Sequence, residues 1–179
     1  LKRIWEPGSK VNNWNEIRPG FPDRRLRLYG PDTDSGTFDY FTEEVVGEIQ
    51  ASRPDYTASA DDNMLVQGID GDRNSLGYFG YGYYAENAEK LKLLAIDNGN
   101  GCVMPTAESI QSEEYAPLSR PLFIYVRKKS LERLEVKAFV EFYIGQGKKL
   151  VREVGYVPLP DEAYAATLTK VRGLITGGE

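Results

Sequence analysis

Leu26-Arg27-Leu28-Tyr29 reads as a short apolar strand, and within a few residues the chain enters a small-residue turn, Asp34-Ser35-Gly36-Thr37. Phe38, Phe41, Val45 and Val46 then recur at helical spacing, which predicts a helix from Ser35 to about Ile49. Gly30-Pro31 is expected to end the strand. A strand that feeds a helix through a glycine-bearing turn is the building unit of layered α/β folds. It also makes a ready anion site, because the first helical N–H groups lack partners and the helix dipole adds about half a positive charge there. Ser35 and Thr37 carry hydroxyl donors, and Gly36 lets a ligand approach the backbone. The simpler alternative is an ordinary Asp or Ser N-cap.

The same alternation continues along the chain. Asp61-Asp62-Asn63 reads as a helix start, and Leu76-Gly77-Tyr78-Phe79-Gly80-Tyr81 as a buried strand. A helix is expected over 85–90, a strand over 91–96, a turn over 97–101 and a short helix over 106–112. After an extended connector, Tyr115 to Pro121, the run Leu122-Phe123-Ile124-Tyr125-Val126 is the clearest strand of all. Amphipathic helices are expected over 131–144 and after Pro160. The fold class is therefore α/β, a sheet flanked by helices.

Composition removes several classes of function. The 179 residues contain no histidine, which excludes imidazole catalysis and the usual zinc or iron sites. The single cysteine, Cys102, excludes an intrachain disulfide framework. A net charge of −5 argues against nucleic acid as a partner. No apolar run approaches the roughly 18 residues that span a bilayer. The residues contain no signal peptide and begin at Leu1, so the chain is expected to be a processed or truncated piece. Asp70-Gly71-Asp72-Arg73-Asn74 opens like a calcium loop, but Ser75 stands where the turn glycine belongs and Tyr81 where the bidentate glutamate belongs.

The stretch Leu28-Tyr29-Gly30-Pro31-Asp32-Thr33-Asp34-Ser35-Gly36-Thr37-Phe38-Asp39-Tyr40-Phe41 resembles the phosphate-contacting turn of the phosphate-binding proteins of ABC phosphate transporters. So do Ser52 to Ser59, Leu76 to Tyr81 and the connector Pro117 to Val126, in order and over nearly the whole chain. The resemblance implies a type II periplasmic solute-binding fold of two α/β lobes with a mixed sheet, and phosphate held between the lobes. Residues 1–116 would be the second lobe and 117–179 the returning C-terminal segment of the first, with that lobe's N-terminal part absent. Ser35, Gly36 and Thr37 would bind phosphate through backbone and hydroxyl donors. Relatives often carry an arginine where this chain has Pro31; Arg53 is then the candidate to supply the cation, and a solvent-exposed loop charge is its other reading.

By the same resemblance the partners are inorganic phosphate and a membrane permease, the location is the periplasm or cell envelope, and no cofactor, metal or catalytic residue is implied. Two competing readings differ in class. Asp32 and Asp34 resemble the paired aspartates of haloacid-dehalogenase-like phosphatases, though Gly36 occupies the place where those enzymes want threonine or valine. The other is a non-binding interaction module, which would self-associate through apolar surface on 122–126 and on the helix after Leu131.

Overall fold

At the centre of a three-stranded parallel sheet lies β1 (Arg27–Pro31), between β2 (Thr57–Ser59) and β3 (Ser75–Gly77). The computed structural model describes residues 1–176. Tyr29 pairs with Thr57 on one side and with Gly77 on the other. Contrary to expectation, β1 runs through Gly30 and Pro31, and Pro31 pairs with Ser59. At the last position of a strand the missing proline N–H costs the ladder little. The sheet has no antiparallel member among the described residues; antiparallel pairing occurs in a separate ribbon of β4 (Ile96–Asp97) and β5 (Cys102–Val103) and in one isolated bridge, Asn13 to Arg25.

Helical segments return the chain between the parallel strands, as that geometry requires. The first is α2 (Gly36–Phe41), which is shorter than expected because the chain widens into π-turns from Thr42 to Val46 and stops at Gly47, φ 96°. Thr42 lies at this change of pitch, fully buried, and its hydroxyl accepts from Gln50 N–H at 2.8 Å. The same hydroxyl faces the carbonyl of Phe38 at 2.9 Å. The second is α3 (Asp62–Asp70), capped by Asp61, whose carboxylate accepts from Asn63 N–H. Close approach sets the glycines here: a Cβ on Gly68 would stand 2.4 Å from the Tyr29 ring, and one on Gly77 would stand 2.7 Å from the Tyr29 carbonyl.

One core is aromatic. Trp5, at the end of α1 (Lys2–Trp5), meets Phe41, Tyr56 and Tyr78 edge-on with ring centroids 4.9–5.7 Å apart. Phe41 and Tyr78 stack at 3.7 Å. Leu26, Leu28 and Val46 complete it, and Leu76 and Leu118 pack on its edge. A second, smaller core joins α6 (Leu134–Gly145) to α7 (Asp161–Thr176): Leu131, Val140 and Ile144 are buried against Tyr164, Leu168 and Val171.

Three expected strands are absent or cut short. Leu76 to Tyr81 is a strand only as far as Gly77; Gly80 then caps α4 (Tyr81–Ala85). The helix expected over 85–90 is thus displaced upstream, and of 91–96 only Ile96 enters a strand. Leu122 to Val126 is in no strand, and no backbone hydrogen bond is made from Pro121 to Val126 among the described residues. A strand exists only with a neighbour for its backbone groups, and none reaches this segment. By contrast α5 (Ala107–Gln111) forms where expected, through reciprocal capping of Thr106 and Ser109.

Candidate functional site

The turn that closes β1 starts with Asp32, whose carboxylate accepts from Asp34 N–H at 3.2 Å while its carbonyl accepts from Ser35 N–H at 3.3 Å. Asp32 therefore shapes the loop, and Asp34 is exposed. Among the described residues no group of three or more Cys, Asp or Glu could hold a metal ion.

Ser35 is the N-cap of α2. Its Oγ accepts from Thr37 N–H at 3.1 Å and, at the limit of bonding, from Phe38 N–H at 3.5 Å. Two of the first-turn donors are thus occupied, as the ordinary-cap reading holds. What stays open is the Gly36 N–H, the hydroxyl hydrogen of Ser35 and the hydroxyl of Thr37, none of which has a protein acceptor among the described residues. Gly36 is exposed, and a Cβ there would meet one neighbour, the Arg120 guanidinium at 3.5 Å. The chain therefore places three small donors, one of them on glycine backbone, side by side at the C-terminal end of β1.

Arg53 is not among them. Its side chain is 2% exposed and its guanidinium is fully engaged. It makes a two-pronged contact with Asp55 at 2.6 and 2.8 Å and donates to the carbonyls of Ile4 and Val11 and to Asn12 Oδ1. Hydrogen bonding to this guanidinium holds the Asp55 carboxyl below the ordinary carboxylate range. Arg53 also lines a cavity of about 710 Å³ shared with Arg25, Arg27, Asp55 and Thr57. That cavity is lined by residues 25–29, towards the N-terminal end of β1, whereas Gly36 follows the strand's C-terminal end. Arg53 is therefore neither an anion ligand at the turn nor a solvated loop charge. It ties the loop after α2 to the N-terminal helix.

The cation at the turn is Arg120. Its Nη2 donates to the Gly36 carbonyl at 3.2 Å, and its guanidinium lies over the Tyr40 ring at 4.6 Å. No carboxylate is within ion-pair distance of it among the described residues. The Tyr40 hydroxyl in turn donates to the carbonyl of Pro117 at 2.5 Å. Burial, followed by the nearby Glu44, raises the Tyr40 hydroxyl above its ordinary value. The connector is thereby anchored on α2, and Arg120 reaches the turn from 84 positions away in sequence. Ser119-Arg120-Pro121 stood in the connector, but nothing in its local pattern signalled this contact. Asn63 sits in the capping turn of α3, where its Nδ2 donates to Asp61 Oδ1 at 3.2 Å.

Known proteins are similar to this chain over most of its length. Protein SphX of Synechocystis is 48% identical over 188 residues, taking in 100% of this chain and 55% of SphX. Phosphate-binding protein PstS of Staphylococcus saprophyticus is 35% identical over 179 residues, covering 98% of this chain and 54% of that protein. The crystal structure of a possible phosphate binding protein from Planctomyces limnophilus superposes with a TM-score of 0.85 at 48% identity, over 100% of this chain and 63% of that one. The chain thus spans about half the length of the curated relatives it matches. A family model described as a PBP superfamily domain matches residues 1–146, from Leu1 through the end of α6, and the chain belongs to that superfamily.

Proposed function

We propose that this chain is the oxyanion-contacting portion of a phosphate receptor, the substrate-binding component of an ABC phosphate uptake system, and that it captures inorganic phosphate reversibly with no bond made or broken. The observation that carries this reading is the set of open donors at one turn: Gly36 N–H and the Ser35 and Thr37 hydroxyls, with the Arg120 guanidinium beside them. Fixed N–H and O–H groups replace the water around a phosphate ion, and a guanidinium offsets its charge. Arg120 takes the role first assigned to Arg53, because it alone of the two has donors to spare at this end of the sheet.

In this reading residues 1–116 form one lobe and 117–179 return to the other, which supplies a carboxylate to protonated phosphate in the complete receptor. Sulfate has no proton to give such a carboxylate, so phosphate is selected over sulfate only where it is present. The chain on its own is then a weak and poorly discriminating anion binder. The complete receptor works in the periplasm or cell envelope and passes its ligand to a membrane permease.

Calorimetric titration of the chain with inorganic phosphate tests this. Saturable binding is expected, weakened at least about tenfold by Thr37→Val, since a hydrogen bond to a charged group is worth about 1.5–3 kcal/mol. Binding that Thr37→Val leaves unchanged contradicts the assignment.

A further inference from the structure

Tyr40 lies one helical turn after Gly36, so the two residues stand on the same face of α2. Arg120 spans that face. Its guanidinium carbon is 4.6 Å from the centre of the Tyr40 ring, while its Nη2 donates to the Gly36 carbonyl at 3.2 Å. The same tyrosine holds the backbone that carries Arg120. Its hydroxyl donates to the Pro117 carbonyl at 2.5 Å and faces the Ser119 carbonyl at 3.4 Å. We infer that Tyr40 is a positioning residue for phosphate binding, its ring fixing the Arg120 guanidinium beside the Ser35 turn and its hydroxyl fixing the connector. This role rests on the reading of Arg120 as the cation of the site.

An arginine side chain has many rotamers, and an anion that must order it on arrival binds less tightly than one that finds it in place. Arg120 is exposed, and among the described residues no carboxylate is within ion-pair distance to hold it. A carboxylate would also occupy the charge and the N–H donors that an anion needs. An aromatic face restrains the cation through its quadrupole and offers no competing acceptor oxygen. Apart from the bond to Gly36, the guanidinium N–H groups of Arg120 have no protein acceptor among the described residues. The connector is fastened at the right place for this. Leu118, between the two carbonyls that face Tyr40, packs on the edge of the aromatic core, and Ser119 Oγ donates to the Tyr115 carbonyl at 3.0 Å. Arg120 follows directly, so its Cα is set before any ligand is present.

NMR titration with inorganic phosphate tests this in the parent chain, in Arg120→Gln, in Tyr40→Leu and Tyr40→Phe, and in each Tyr40 variant combined with Arg120→Gln. Arg120→Gln is expected to weaken binding about tenfold. Tyr40→Leu, which loses ring and hydroxyl, should weaken it about fivefold, and Tyr40→Phe, which keeps the ring, about threefold. Both Tyr40 losses should vanish in the Arg120→Gln background, because a residue that acts through another has nothing left to position once the other is gone. Equal losses in both backgrounds mean a merely structural tyrosine and overturn the proposal. So does a Tyr40→Leu chain that binds as the parent does. If Tyr40→Leu fails to fold, Tyr40→Phe decides by the same criterion. A parent chain that does not bind phosphate, or whose binding Arg120→Gln leaves unchanged, defeats the reading of Arg120 as the cation, and the proposal falls with it. Loss with Arg120→Gln but with neither Tyr40 variant overturns the positioning role alone.

Discussion

The residues before Pro121 and those after it treat their apolar side chains in opposite ways. In the first region Trp5, Leu28, Phe38, Phe41 and Leu65 are almost completely buried, and exposed large apolar residues are scattered. In the second, a small core of Leu131, Val140 and Ile144 sits beside exposed Leu122, Phe123, Tyr125, Leu134 and Phe139. Similar composition thus yields a closed core in one region and an open apolar surface in the other. Isolated exposed leucines are normal; after Pro121 the exposed aliphatic and aromatic residues form a contiguous run, in a chain that spans about half the length of its curated relatives. The turn proposed to hold the anion belongs to the first region, while Arg120, which donates to its Gly36 carbonyl, arrives on the connector between the two.

The largest effects should fall in the closed region. Trp5→Ala removes the ring that three aromatics pack around and is expected to cost about 3–5 kcal/mol. Arg53→Ala leaves Asn12 and the carbonyls of Ile4 and Val11 without their donor and should cost about 2–5 kcal/mol, at about 1–3 kcal/mol for each buried acceptor left unpaired. Leu134→Ala, in the open region, should stay within about 0.5 kcal/mol of the parent chain. Urea denaturation of the three variants compares the regions directly; equal losses would abolish the contrast.

A smaller effect is expected at Thr42. Thr42→Val keeps the shape but removes the hydroxyl that serves Gln50 N–H and the Phe38 carbonyl, at a cost of about 1–3 kcal/mol. The measurement is again the urea midpoint. Smallest is a pH effect. The Asp55 carboxyl is lowered by its hydrogen bond to Arg53, so its contribution to stability is present above the ordinary aspartate value and lost as pH falls through the lower folded value. Asp55→Asn should flatten that acid limb of a stability–pH profile; an unchanged limb would show that Arg53 is held by its carbonyl partners alone.

Local signals were readable without the structure. Asp61 at the cap of α3, Thr106 before α5, and Pro160 ahead of α7 each act on their own neighbours, and each helix begins where its signal stands. The Ser35 turn was readable for the same reason. What failed depended on distant residues. Leu122 to Val126 has strand composition, but composition does not provide a neighbouring strand. The strand expected over 76–81 ends at Gly77, and Gly80 caps α4 beyond Tyr78, whose ring is stacked on Phe41. The role of Arg53 is decided by Ile4, Val11 and Asn12, more than 40 positions away, and that of Arg120 by Gly36. A guanidinium's availability is a property of what surrounds it after folding.

Arg53 and Arg120 lie towards opposite ends of β1, and of the two only Arg120 has donors left over. An amide NMR titration of the chain with inorganic phosphate distinguishes them. The account predicts saturable shifts that are largest at Gly36 and Thr37, extend to the connector around Arg120, and leave Arg53 and Thr57 unmoved. Shifts centred on the cavity of Arg25, Arg27 and Arg53, or none at the Ser35 turn, would contradict it.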